Sequence, residues 1–397
     1  MLDKILTKIS LIIIRIYQKT FSSHTWIFKN ILYTQPVCAH SPHCSEYWKK
    51  VFKKYGFIKW LKYTMERIDK CTPNTKIKYD PPFYKVVFFS SAPIWTPFLD
   101  ELYNDKRFEV VGVITWEDKK ANRWQKIQPN IIKKHSIEKL GIKKELIQTP
   151  SKIRWNKEIE KWLKEKNADF FVVISYGKIL PKEILDIPTL GPINIHGSVL
   201  PKYRWASPIQ SVFLNNEKET WITIMYMDEN MDTWDIIKIL KIPLTKQDNS
   251  KTLINKFTKY SPKFTVDTIW DFWKEKLKRT KQDESKATYC KKFTKKDWEI
   301  SFEEPAEKIY NKFQAFYLWP GIYTDFKGKK LIITDCFFEN EESWKKIWEW
   351  FMESGQLKVQ TWKWNLIVKK VKLEWKNEMS AKDFYNGYLK STLENLS

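Results

Sequence analysis

The sequence predicts an α/β protein in three parts: a small α-helical domain, a sheet covered by helices on both faces, and a small β-barrel. Three observations predict it. Apolar residues recur at helical spacing in the N-terminal part of the chain. From Tyr84 onward, short apolar runs alternate with helical segments. Beyond Cys290, short alternating runs are split by polar turns, as in a small all-β barrel.

Composition narrows the function. The chain has 397 residues, with 43% hydrophobic and 16% aromatic side chains. That supplies a large core and excludes collagen-like, coiled-coil and wholly disordered classes. The net charge of +23 favours an anionic partner such as nucleic acid or a lipid surface. Residues 1–82 and 83–289 carry +10 each and residues 290–397 only +3, so the barrel alone is a poor candidate for gripping a polyanion. Five Cys are too few for a disulfide scaffold, which points to a reducing, cytoplasmic setting. No apolar stretch reaches the roughly 20 residues of a transmembrane helix. The N-terminus lacks a signal-peptide cleavage site. One count does not fit: 21 Trp against 10 Gly.

The elements follow in order. Leu2, Ile5, Leu6, Ile9, Ile12, Ile13, Ile16 and Tyr17 fall on one helical stripe, with Asp3, Lys4, Lys8, Arg15 and Lys19 off it. A second helix runs from about Glu46 to Asp69. Its apolar side is Val51, Phe52, Tyr55, Ile58, Leu61, Met65 and Ile68; its basic side holds Lys49, Lys50, Lys53, Lys54, Lys59, Lys62 and Arg67. Such helices lie in a membrane interface with Lys facing anionic lipid, or form a small soluble domain with a solvated basic face. Periodicity alone leaves both open. Between the helices, Cys38, His40, His43 and Cys44 could ligate zinc, although their spacing matches no common finger. Cys71 follows the second helix. Tyr79–Pro82 (YDPP) reads as a linker.

Strands are expected at Tyr84–Phe89, Phe108–Thr115, Asp169–Ser175 and Trp221–Met227, with helices at Pro97–Asn104 and Asn156–Lys166. Near-continuous apolar strands in this alternation predict a parallel sheet, whose ligands bind at the carboxyl ends of its strands. No Gly-rich phosphate loop is present. Residues 245–289 read as a helical connector. LIITDCFF, QLKVQ and NLIVKKVKLEW are the strands of the barrel.

The chemistry concentrates at Ile193–Pro201. Asn194 and His196, two apart on a strand, point to the same side. An amide donor beside an imidazole suits an oxyanion formed in acyl transfer. A carboxylate from a distant loop, Asp232, would orient the His and stabilise its charged form. Alone, Asn-x-His is weak and equally fits a surface loop with an incidental His.

Its surroundings strengthen it. INIHGSVLPKYR-x-ASPIQ, ET-x-ITIMYMDENMDT-x-D, AFYLWPGIYT and MSAKDFYNGY resemble, in order and spacing, the methionyl-tRNA formyltransferase family along residues 83–397. The resemblance implies a Rossmann-like catalytic domain over residues 83–289, connector included, and an OB-like domain over 290–397. It implies Asn194, His196 and Asp232 as catalytic residues, 10-formyltetrahydrofolate as formyl donor, and initiator methionyl-tRNA as acceptor, with no metal required. Tyr176, Gly177, Ile179, Leu180, Ser198, Leu200, Pro201 and Asp228 would clasp the donor. Lys119, Lys120, Arg123 and Lys126, in a basic loop, would meet the tRNA together with Arg204. Residues 1–82 resemble the membrane protein insertion efficiency factor family: IYQKTFS, then C-x5-C-S-x-Y, a Lys-rich helix, and a Cys before YDPP. His40 and His43 depart from its pattern. That resemblance implies a peripheral place at the inner membrane face, near the insertase machinery. Two other readings compete: a formyltransferase for an amino-sugar nucleotide, and a non-catalytic membrane-insertion adaptor.

The departures are systematic. Trp60, Trp124, Trp205, Trp221, Trp234, Trp298, Trp364 and Trp375 stand where these families carry Gly, whereas Trp319 is a Trp of the family and Trp162 a second candidate. A UGA codon read as glycine by the cell, and written here as Trp, would explain them. Trp rings should then crowd turns near the catalytic residues.

Overall fold

The computed structural model describes residues 2–20, 40–69, 78–121, 126–230, 232–274, 276–341 and 344–390. The chain divides into two compact units, Met1–Lys85 with Lys106–Glu109, and Val86–Asp105 with Val110–Ser397.

In the first unit, α1 (Leu2–Thr20) packs on α2 (Cys44–Asp69). Gly56, at φ 79°, breaks α2. The Asp3 carboxylate caps the second half, accepting from the Phe57 and Ile58 amides at 2.9 and 3.2 Å. The break splits the predicted apolar side. Val51 and Phe52 are buried, but Ile58, Leu61, Met65 and Ile68 are exposed. Thr64 and Arg67 turn inward instead. Arg67 donates to the carbonyls of Asp80, at 2.5 Å, and Pro42, and lies over the Tyr47 ring. β1 (His40–Ser41) pairs parallel with β2 (Lys78–Tyr79). Tyr79–Pro82 is therefore not a free linker: the strand pairing and the buried guanidinium tie it to the helices. Cys38, one of the candidate zinc ligands, lies outside the described residues, as does Cys71.

The second unit is built on a seven-stranded sheet. Its strands in chain order are β3 (Tyr84–Ser90), β4 (Phe108–Ile114), β7 (Ile147–Gln148), β8 (Phe170–Ile174), β9 (Gly191–His196), β11 (Glu219–Tyr226) and β12 (Asp235–Pro243). A hairpin of β5 (Lys119–Ala121) and β6 (Lys126–Gln128) follows β4. β10 (Arg204–Trp205) pairs parallel with β13 (Tyr289–Cys290). The sheet order is β12-β11-β9-β8-β3-β4-β7. Five of its helices are α3 (Thr96–Asn104), α4 (Ile131–Glu138), α5 (Lys157–Lys166), α6 (Lys182–Leu185) and α7 (Pro208–Leu214), and α8 (Ser250–Trp273) is the longest.

Phe171 and Val173 point to one face, where they join Ile159 and Leu163 of α5 in one core cluster. Phe170, on the other face, meets the ring of Trp273 at the end of α8. The expected cover of helices on both faces is present. The expected all-parallel sheet is not. β3, β8 and β9 pair parallel, as do β4 and β7, but β11 runs antiparallel to both β9 and β12. The short turn from Tyr226 to Asp235 has no room for a crossover helix, so the chain returns antiparallel. The expected connector over 245–289 is helical only through α8. The charged stretch after it has no apolar stripe and runs back, through β13, to the loop after β9.

The remainder is an antiparallel sheet with α9 (Ala306–Phe316) against it. Its strands are β14 (Ile322–Phe326), β15 (Lys329–Glu339), β16 (Trp350–Glu353), β17 (Gln356–Gln360), β18 (Asn365–Leu373) and β19 (Glu378–Ser380). The order is β14-β15-β18-β17-β16, with β19 on β18, and α10 (Ala381–Phe384) follows.

Candidate active site

β9 carries Asn194 and His196 at the carboxyl end of the parallel strands. It is held between β8 and β11, with Asn194 opposite Met225 and His196 opposite Thr223. His196 is 8% exposed and Asp232 7%. The Nε2 of His196 lies 2.9 Å from the Tyr203 carbonyl. A carbonyl only accepts, so Nε2 carries the proton there. That leaves Nδ1 facing Asp232, 3.9 Å from Oδ1. The distance is too long for a hydrogen bond, so the carboxylate faces the ring across an open gap. The other oxygen of Asp232 accepts the Trp205 amide at 2.8 Å. The Gln282 side chain donates to the carbonyls of Asp232 and Trp234 at 2.9 and 2.7 Å, pinning the loop that brings the carboxylate in. Three distant segments thus meet around His196 and Asp232, with Asn194 two residues before His196 on β9.

The loop after β9 is internally braced. Ser198 is fully buried and donates to the Lys202 carbonyl at 2.8 Å. The Thr223 hydroxyl donates to the Ser198 carbonyl at 2.6 Å and accepts the Leu200 amide at 3.3 Å. Of the candidate donor-binding residues, Tyr176, Leu180 and Leu200 belong to the core cluster. Pro201 is half-buried, while Gly177, Ile179 and Asp228 are exposed. Gly177 sits at φ 73° against Trp116, whose ring a Cβ there would meet at 2.8 Å. The Asp228 carboxylate accepts the Asn230 amide at 2.9 Å. A cleft of about 740 Å³ is lined by Trp205, Asp228, Thr233, Gln282 and Tyr289, among others.

The candidate tRNA residues divide. Lys119 and Lys120 lie on β5 and Lys126 on β6, a hairpin rather than an open loop; their side chains, and all of Arg123, lie outside the described residues. Asp118 anchors the hairpin, accepting the Asn130 amide at 2.9 Å and Lys133 Nζ at 2.6 Å. Burial raises its pKa, but these donors outweigh it and hold the carboxyl below the ordinary range. Arg204 requires a correction. Its side chain is fully buried and grips Glu284 through two hydrogen bonds, at 2.8 and 2.7 Å, and Gln282 through two more. The guanidinium ties the loop after β9 to residues 282–284 and is not offered to phosphate. The Glu284 carboxyl is correspondingly pushed down by the Arg204 hydrogen bond. Sequence reading missed Gln282, Thr223 and Trp116. The first sits in a charge-rich stretch without pattern, and the others read as ordinary strand and loop residues.

Comparisons with known proteins give the family. Family models described as "Formyl transferase" and "Formyl transferase, C-terminal domain" match residues 84–269 and 292–389, and one described as "Putative membrane protein insertion efficiency factor" matches residues 6–82. The chain is 36% identical over 307 residues to the methionyl-tRNA formyltransferase of Caldicellulosiruptor saccharolyticus, covering 76% of this chain and 96% of that one. It is 35% identical over 315 residues to that of Sulfurimonas denitrificans, covering 79% and 100%. Among solved structures it is similar to the sugar 3N-formyl transferase WlaRD, at 20% identity and a TM-score of 0.51 over 75% of this chain and all 100% of that one. It is also similar to HypX from Aquifex aeolicus, at 13% identity and 0.52 over 78% and 48%. At those identities the likeness shows the fold alone. Taken with the curated relatives, the chain belongs to the methionyl-tRNA formyltransferase family, preceded by a segment, residues 6–82, that is similar to the putative membrane protein insertion efficiency factors.

Proposed function

We propose that the protein transfers the formyl group of 10-formyltetrahydrofolate to the α-amine of initiator methionyl-tRNA, with Asn194, His196 and Asp232 as its catalytic residues. The observation that carries this reading is their convergence at the carboxyl edge of the sheet, with His196 between a carbonyl and a carboxylate. An α-amine has a pKa near 8 and is partly neutral at pH 7, so its lone pair is available. It attacks the formyl carbon, a nitrogen–carbon bond forms, and the carbonyl oxygen becomes an oxyanion. The Asn194 amide and the His196 imidazolium stabilise that charge. The bond from carbon to the folate nitrogen then breaks. The amine gives up a proton, assisted by Asp232, and the departing folate nitrogen gains one. Gly177, bare and at positive φ, and the exposed Ile179 and Asp228 suit the edge of a flat, hydrogen-bonding pterin. The β5–β6 hairpin, with Lys119, Lys120, Arg123 and Lys126, would contact the acceptor stem through phosphates.

The N-terminal unit we read as a peripheral membrane module, supported by the exposed aliphatic side chains of α1 and α2. It would hold the enzyme at an anionic inner membrane face, near insertase machinery.

The test is formyl transfer by the full chain, isolated from its own cells, to methionyl-tRNA and to an amino-sugar nucleotide. Transfer to the tRNA is expected. Transfer to the sugar nucleotide alone would reassign the acceptor. Transfer to neither, with membrane binding intact, would leave an adaptor.

A further inference from the structure

Left-handed backbone is where this chain departs from ordinary protein chemistry. Among the described residues, 12 non-glycine residues have φ between 46° and 79°, and five of them are Trp: Trp155, Trp205, Trp348, Trp364 and Trp375. In that region a Cβ crowds the backbone, and Gly, Asn and Asp are the residues that normally enter it. Burial does not offset the strain. Trp155 and Trp375 are 88% and 94% exposed, and Trp205 and Trp348 are 49% and 41% exposed. Other Trp residues fail in the opposite way: Trp60 and Trp234 bury an indole nitrogen with no hydrogen-bond partner among the described residues, whereas a buried Trp normally finds one. Trp116 and Trp162 behave as Trp should. They donate to the carbonyls of Tyr176 and Glu145 at 2.7 and 3.3 Å. Their rings lie against Gly177 and Gly112, where a Cβ would come within 2.8 and 2.7 Å of them.

We propose that the chain made in the cell carries glycine at positions 155, 205, 348, 364 and 375, through UGA codons read as glycine, and that glycine at 205 opens the cleft beside the Asp232 loop to the formyl acceptor. The second half rests on the reaction proposed above; the first does not. Position 205 cannot relax by changing its backbone. Its amide is spent on Asp232 and its strand on Tyr289–Cys290, so a different φ would release the catalytic carboxylate. With φ fixed at 79°, the indole lies 4.7 Å from the Tyr289 ring, on the wall of the cleft beside Asp228 and Thr233. Glycine keeps the amide and removes the ring.

Peptide mass spectrometry of the protein from its own cells decides the first half. Glycine is expected at the five positions, with Trp retained at 116 and 162 as an internal control. Trp at the five, or UGG codons there, would overturn it and leave the exposed rings as platforms for stacked bases. A chain with glycine at all five should also melt higher than the literal chain by on the order of 5 °C; an equal or lower melting temperature counts against it. For the second half, Trp205→Gly in the literal chain should raise kcat/KM for formyl transfer by about tenfold. No rise would end the cleft assignment while leaving the glycine assignment standing. Glycine peptides together with no transfer to methionyl-tRNA would instead point to failure of the proposed reaction.

Discussion

His196 holds one ring nitrogen against the Tyr203 carbonyl and turns the other toward Asp232, so substitutions at each partner separate their roles. Asn194→Ala and His196→Ala should each lower kcat by about 100- to 1000-fold with KM little changed, because each removes a donor that matters only as the oxyanion forms. Asp232→Asn keeps an oxygen for the Trp205 amide but removes the charge opposite Nδ1; single-turnover kinetics should show loss of the chemical step with tRNA binding intact. Equal rates in wild type and all three variants would remove the triplet from catalysis. Arg204 makes a different claim. Arg204→Lys cannot reproduce the two-pronged grip on Glu284, so the melting temperature should fall by about 5 °C. The salt dependence of tRNA binding should not change, as it would on loss of a phosphate contact. A flatter salt slope at unchanged melting temperature would restore Arg204 to the tRNA surface. The placing of Asn194 and His196 on one strand was legible because a two-residue spacing in an apolar run defines one face. Arg204 was misread because a charge in sequence says nothing of a carboxylate 80 positions away.

Among the elements, what could be read locally was read well. Phe170–Ile174 and Thr96–Asn104 fall within a residue or two of their expected bounds, since their apolar patterns have one period each. What depended on long-range partners was not legible. The antiparallel edge at β11 and β12 follows from a short turn, and the seating of Tyr79–Pro82 follows from Arg67. The start of α8 shows how such partners are built. Asn249 caps the helix in a box with Thr252. Beside it, Asp248 accepts the Thr245 amide at 2.7 Å, the Thr252 hydroxyl at 2.8 Å and Lys256 Nζ at 2.6 Å. Burial raises the Asp248 pKa, but these donors hold it below the ordinary carboxylate value. A depressed folded-state pKa means stability that is fully present above the unfolded value, near 4, and lost as pH falls through the folded one. Asp248→Asn should therefore cost about 1–2 kcal/mol at pH 7. The gap from wild type should close in denaturant melts below pH 4. A gap that stays constant down to pH 2 would mean the charge contributes nothing.

At the scale of the whole chain, one sequence carries a catalytic unit whose apolar strands are buried and a helical unit whose aliphatic stripe is not. On α1, Ile5, Ile9, Ile12, Ile13 and Ile16 are 49–59% exposed, and on α2, Ile58, Leu61, Met65 and Ile68 are 52–76% exposed. Meanwhile the guanidinium of Arg67 is turned inward at 1% exposure. A buried arginine beside nine exposed aliphatic side chains is what the proposed peripheral membrane module requires. No helix among the described residues is long and apolar enough to cross a membrane. The proposed module would lie in the interface through its exposed stripe, drawn there by the +10 charge of residues 1–82. The full chain should sediment with phosphatidylglycerol-containing vesicles and much less with neutral ones, and salt should weaken the binding. Ile12→Asn combined with Ile13→Asn removes two side chains each contributing about 1 kcal/mol of burial, so affinity should fall at least about tenfold. Formyl transfer in solution should stay as it was, because neither residue belongs to the catalytic unit. Vesicle binding unchanged in that double variant, or equal on neutral and anionic lipid, would mean the stripe is covered by something other than a membrane.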